Sequence, residues 1–216
     1  MIVRTLLLVS LAATVAFAEE HAAGPSADSI LAELKAGNQR HVTGSYKPNN
    51  HKTLARRSEL AAGQHPGAII LSCADSRVPP EIVFDQGLGD LFVVRVAGNI
   101  VEDAGLGSME YAVEHLGSKL IVVLGHERCG AVDATLKGGE APGHIAELVR
   151  KIQPAIDKSK GLPGDKLDNA VITNVKLVVS HLKAAKPILS DQSSNKKIRI
   201  VGARYDLDTG IVTWID

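Results

Sequence analysis

Only two cysteines stand in the chain, Cys73 and Cys129, so a disulfide-rich scaffold is excluded. Aromatic residues make up 3% of the composition, and 24 lysines and arginines balance 24 aspartates and glutamates to a formal net charge of zero. A nucleic-acid binder built on a basic groove with stacking platforms therefore lacks both of its materials. The sequence has no internal repeat and no low-complexity segment, and beyond its first residues it has no apolar run of the ~20 residues that a membrane span needs. What is present is ordinary: 45% hydrophobic and 22% charged residues in 216, a composition and length that suit one globular domain.

Residues 1–18 differ from the rest. Arg4 is their only charge, an apolar stretch runs from Leu6 to Phe17, and Ala16-Phe17-Ala18 precedes Glu19-Glu20. This is the pattern of a secretory signal peptide with cleavage before Glu19, which would place the mature chain in the periplasm or outside the cell, with no membrane association after cleavage. An uncleaved anchor is the alternative; the short apolar run and the small-residue site favour cleavage. Residues 19–26 read as a linker, and residues 27–216 as a single domain. Export makes a Cys73–Cys129 disulfide in a non-enzymatic module a reading to be weighed.

Four short runs rich in Val, Ile and Leu, at Ala68–Leu71, Leu91–Val94, Leu120–Leu124 and Ile198–Ala203, are apolar on both faces, as buried parallel strands are. Helical patterns lie around them: Ala27 to His41, punctuated by Gly37 and Gly44, then Leu54–Ala62, Leu106–Leu116, Ile145–Ile156 and Leu167–Lys186, with Pro187 as a stop. The alternation predicts an α/β fold: a mostly parallel central sheet flanked by helices, with an N-terminal helical arm. Asp208-Thr209-Gly210 between two apolar segments predicts a hairpin that adds an antiparallel C-terminal edge strand.

The first run ends in Ser72-Cys73-Ala74-Asp75-Ser76-Arg77, the third in Gly125-His126-Glu127-Arg128-Cys129-Gly130. Both clusters fall past the C-terminal end of a predicted parallel strand, where open α/β sheets form their sites. Cys73, His126 and Cys129 are a suitable zinc set, with three protein ligands and one open position. Cys129 also precedes a helix beginning near Ala131, whose free N–H groups favour a thiolate. Asp75 and Arg77, two residues apart, can pair so that the carboxylate stays ionised beside that position. A chance His-x-x-Cys, a buried structural cysteine and a surface salt bridge are the plainer readings of the same residues. His41, His51, His65, His144 and His181 show no ligand spacing and are predicted at the surface. Gly87-x-Gly89 and Gly105-x-Gly107 lack the third glycine and the strand-to-helix placement of a dinucleotide-binding fingerprint.

Cys73-Ala74-Asp75-Ser76-Arg77 with Val78-Pro79, paired with Gly125-His126-x-x-Cys129-Gly130, resembles the signatures of the β-class carbonic anhydrases. Asn38-Gln39-Arg40 and Gly89-Asp90-Leu91-Phe92-Val93-Val94-Arg95 are similar to further family segments, and the resemblance runs from about Leu34 to Ile215. It implies a zinc lyase that reversibly hydrates carbon dioxide to bicarbonate and a proton. Zn2+, one per chain, would be held by Cys73, His126 and Cys129, with Asp75 and Arg77 as the catalytic dyad. It further implies Gln64, Phe92, Tyr111 and the backbone N–H of Gly130 at the substrate, and a homodimer or higher homo-oligomer whose cleft lies at the subunit interface. Tyr111 and His115, one helical turn apart, resemble a proton relay; a histidine packed on a helix end is the alternative. Ile70 stands where regulated members carry a tryptophan beside a bicarbonate pocket, so the chain resembles the open, plant-like subtype. Hydrolysis of carbonyl sulfide or carbon disulfide on the same fold is the nearest rival activity.

Overall fold

The computed structural model describes residues 24–48 and 53–215. The expected signal peptide, most of the linker, and His51 lie outside the described residues. Five strands form one sheet: β1 (Ala68–Ser72), β2 (Leu91–Arg95), β3 (Leu120–His126), β4 (Arg199–Tyr205) and β5 (Val212–Ile215), in the order β2-β1-β3-β4-β5. All pairings are parallel except β4 with β5. Every residue of β1 and β3 is buried, because helices cover both faces of the sheet centre.

Alternate residues of the central strands point to opposite faces. Ile70, Val122 and Leu124 meet Leu34 and Phe84 on one side. Ile69, Leu71, Ile121 and Val123 meet Met109, Ala112 and Val175 on the other. The helices are α1 (Ala27–Thr43), α2 (Leu54–Leu60), α3 (Pro80–Val83), α4 (Asp103–Leu116), α5 (Gly130–Lys137), α6 (Ile145–Ser159), α7 (Lys166–Ala184) and α8 (Ile188–Ser194). Among the described residues, no helix is long and apolar enough to cross a membrane.

Strand and helix positions follow the sequence pattern, with instructive departures. Gly37 does not interrupt α1; it lies inside the helix, where a Cβ would stand 1.8 Å from the Phe84 carbonyl oxygen. Glycine is there for close backbone approach, and Gly44 at φ 68° ends the helix. The one-turn α3 and the polar α8 carry too little periodicity to be read from sequence; α8 is ordered by burying Leu189. His41 is not a free surface residue: its ring nitrogens hydrogen-bond the hydroxyls of Tyr46 (2.6 Å) and Tyr205 (2.9 Å).

Asn38 ties α1 to the rest of the chain. Its amide donates to the carbonyls of Val83 (3.2 Å) and Gly210 (2.8 Å) and accepts the Val212 N–H (2.9 Å). Asn38→Ala leaves buried backbone groups unpaired and is expected to cost about 2–4 kcal/mol in urea unfolding. A loss below about 1 kcal/mol would show that α1 is held by Leu31 and Leu34 alone.

Candidate metal centre

β1 leads to β2 on one side of the sheet, while β3 leads to β4 on the other. The crevice between the C-terminal ends of β1 and β3 is therefore the switch point of the topology, where α/β sheets bind ligands. Cys73 follows β1, His126 ends β3, and Cys129 is the residue preceding α5. All three are buried, and their ligand atoms lie within 4.8 Å of one another.

The two sulfurs are 4.0 Å apart, against about 2.05 Å for a disulfide, and both cysteines are free thiols. The disulfide-linked module considered from the sequence has no support. Two sulfurs at about 2.3 Å from a tetrahedral zinc would be about 3.8 Å apart, close to the observed spacing. His126 is fully buried; its Nδ1–H donates to the Glu127 carbonyl (2.8 Å), which leaves the lone pair on Nε2. That atom has no hydrogen-bond partner among the described residues. A buried ring nitrogen without a protein partner, aimed between two thiols, fits a metal ligand.

The contact with the Cys129 sulfur, helped by the Gly98 N–H at 3.3 Å and opposed by burial, pulls the Cys73 thiol down. Cys129, coupled to Cys73 by the same contact and itself buried, is pushed up. Asp75 stands beside the cluster, its Oδ2 3.7 Å from His126 Nε2. Arg77 grips both carboxylate oxygens: Nε and the backbone N–H donate to Oδ1, each at 2.9 Å, and Nη2 donates to Oδ2 at 2.7 Å. These bonds hold the Asp75 carboxyl well below the usual carboxylate range. The dyad read from the sequence is therefore formed, next to the three candidate ligands.

Several supports carried no assigned role in the sequence reading. Arg95 donates to the Cys73 carbonyl (3.1 Å) and the Asp75 carbonyl (2.6 Å), fixing the backbone between ligand and dyad. Gly98 donates its N–H to Cys73 Sγ from a left-handed backbone (φ 71°), and only glycine fits there, since a Cβ would meet Ile152 at 2.7 Å. Asn174 in turn donates to the Gly98 carbonyl at 2.8 Å. The available signal was Asn174 itself, a polar residue on the otherwise apolar stripe of Ala170, Val171, Val175 and Val178.

Of the other expected site residues, Gly130 adjoins the cluster, while Gln64, Phe92 and Tyr111 stand elsewhere in the chain's fold. Gly130 opens α5 beside Cys129, exposed and with open space around its Cα. Gln64 is exposed and precedes β1, at the opposite edge of the sheet from Cys73; β1 alone spans roughly 16 Å. Phe92 pairs with Ile69, four residues before Cys73, and is half-buried against the α4 side of the core. Tyr111 is 50% exposed on α4, its ring centroid 5.1 Å from that of His115. A cavity of about 620 Å³ lined by Asp28, Lys183 and Arg199 also lies at the far edge of the sheet.

Comparison with known proteins agrees with this geometry. The family model described as carbonic anhydrase matches residues 68–212. Carbonic anhydrase 2 of Mycobacterium tuberculosis is 43% identical over 182 residues, covering 82% of this chain and 87% of that protein. The carbonic anhydrase of Mycolicibacterium smegmatis is 39% identical over 194 residues, covering 87% and 94%. Among solved structures, the Coccomyxa β-carbonic anhydrase in complex with acetazolamide superposes with a TM-score of 0.68 at 28% identity, covering 87% of this chain and 82% of that one. With the family's signature residues gathered at the switch point of its sheet, the chain belongs to the β-carbonic anhydrases.

Proposed function

We propose that this enzyme reversibly hydrates carbon dioxide to bicarbonate and a proton, using one zinc ion per chain held by Cys73, His126 and Cys129. The observation that carries the reading is the fully buried His126 Nε2, without a hydrogen-bond partner among the described residues, on a ring clustered with two free thiols and beside an arginine-clamped aspartate. When bound, zinc supplies Lewis-acid activation of water near neutral pH.

The chain's own residues do the rest. Asp75 Oδ2 accepts a hydrogen bond from the attacking water and so aims its lone pair at the substrate carbon. Arg77 keeps that carboxylate ionised and held in place beside the cluster. The Gly130 N–H, in the first turn of α5, has no acceptor in the preceding helix and serves as donor to a developing carboxylate oxygen. The Cys73 and Cys129 thiolates would moderate the charge of a bound zinc and so favour release of the anionic product.

Gln64, Phe92 and Tyr111 make no contact with the cluster among the described residues, and a second copy would bring them to it. The exposed apolar residues Leu54, Ile82 and Leu88 and the open edge of β2 support a homo-oligomer with the cleft between subunits. Ile70, buried in the core, supports the open, plant-like subtype. We further propose export by residues 1–18, a linker over 19–26, and one catalytic domain thereafter. Sequencing of the cellular protein is expected to begin at Glu19, and an intact Met1 would overturn export.

Purified enzyme is expected to contain one zinc per chain. Chelation under non-reducing conditions should release two titratable thiols. Cys73→Ser should lose zinc and hydration activity together, and full zinc occupancy in that variant would overturn the ligand assignment. Turnover of carbonyl sulfide without carbon dioxide hydration would overturn the substrate.

Arg77→Ala should retain zinc and lose activity by about 10²–10³-fold, because a mobile carboxylate no longer orients water. Near-normal kcat/KM in a stopped-flow hydration assay would remove Arg77 from the mechanism.

A further inference from the structure

The turn from His126 to Cys129 brings two ligands together in a conformation that needs holding. Arg128, within it, has φ 51°, a left-handed backbone that L side chains rarely adopt. Arg128 is clamped from outside the turn by Asp208, with both contacts at 2.8 Å.

Glu127 is anchored at each of its other polar groups. Its N–H donates to the Tyr205 carbonyl (2.9 Å), and its Oε2 accepts the Leu207 N–H (3.3 Å). Its Oε1 faces Arg128 Nη1 at 3.2 Å and Arg204 Nη2 at 3.8 Å. The remaining group, the Glu127 carbonyl, accepts the His126 Nδ1–H. The ring that carries the orphan Nε2 is thus oriented by a peptide group whose side chain is moored to arginine.

Arg204 is the less exposed member of that mooring, its side chain 15% exposed against 48% for Arg128. It stands on β4 opposite Gly125, pairs with Asp168 at the first turn of α7, and lies 3.4 Å from Asp206. Glu127, Asp206 and Asp208 have carboxylate oxygens within 4.8 Å of one another. Without Arg204, Arg128 and the donors of the hairpin (the N–H groups of Leu207, Asp208 and Thr209 and the Thr209 hydroxyl) are left to balance these three charges, and their repulsion loosens the Glu127 side chain.

We infer that Arg204 is a positioning residue: acting through Glu127, it fixes the peptide group that orients His126 and so sets how tightly the Cys73–His126–Cys129 cluster holds its metal. This rests on the zinc reading above. Outer partners of metal-bound histidines typically change affinity by about 10–100-fold when removed.

The test compares the wild-type holoenzyme with Arg204→Gln, Arg204→Lys, Glu127→Gln and the Arg204→Gln/Glu127→Gln double variant. Zinc affinity is read by competitive chelation, the ligand field by the absorption of cobalt-substituted protein, and Tm alongside. Arg204→Gln is expected to bind zinc about 10–100-fold more weakly, with shifted cobalt bands. Arg204→Lys should recover part of the loss, since lysine restores the charge without the fork. The double variant should lose little more than either single one, as residues acting in series do. A folded Arg204→Gln variant with wild-type zinc affinity and cobalt spectrum overturns the role, even if its Tm falls. If Arg204→Gln does not fold, Glu127→Gln decides by the same readouts, and wild-type values there overturn it. Wild-type enzyme that binds no zinc overturns the metal reading itself, and this inference with it.

Discussion

Ser72 pairs with Leu124 across the parallel ladder of β1 and β3, and this register decides where the chemistry stands. Cys73 follows Ser72 directly, while His126 lies two residues beyond Leu124. The two side chains meet because both strands are fully buried and cannot slip. A one-residue shift would turn the Ile69 and Leu71 face into the Ile70 face and exchange both halves of the core. The site is thus built on the most constrained ladder of the fold. Cys129 is then brought in by a turn rather than by a strand.

Around these three residues the polar groups are arranged as a nested set. Arg77 grips both oxygens of Asp75, Arg95 holds the backbone on either side of Ala74, and Asn174 holds Gly98, which points at Cys73. On the far side, Glu127 holds His126 and is itself held from β4. In a low-dielectric interior such partners matter because the alternative to each bond is an unsatisfied buried group. His126 Nε2 stands out against that background, since its neighbours' hydrogen-bonding capacity is directed elsewhere. This contrast makes the centre readable as a metal site without an ion in view.

Much of the centre was legible in the chain itself. Two strand-like runs ended in Cys-x-Asp-x-Arg and His-x-x-Cys, and a parallel sheet places such ends together. Asp75 and Arg77 pair locally, over two residues, so their contact needed no fold to be foreseen. Gly37 was misread because its reason is the Phe84 carbonyl, 47 residues away in sequence. His41 was taken as a surface residue for the same cause: its partner Tyr205 is brought to it only when α1 packs beside the C-terminal hairpin.

The sequence by itself determined the fold class, the approximate positions of the parallel strands, the three candidate ligands and the aspartate–arginine dyad. These depend on local periodicity and on residue chemistry at fixed spacing. Only the tertiary structure decided that the two thiols stay apart as free groups, which ring nitrogen of His126 faces them, and that Gly98, Asn174 and Arg204 support the centre. It also separated Gln64 from Cys73 by the length of a strand. The physical reason is that hydrogen bonds and steric contacts between residues distant in sequence have no periodicity of their own; they exist only once the ladder between β1 and β3 has set the frame.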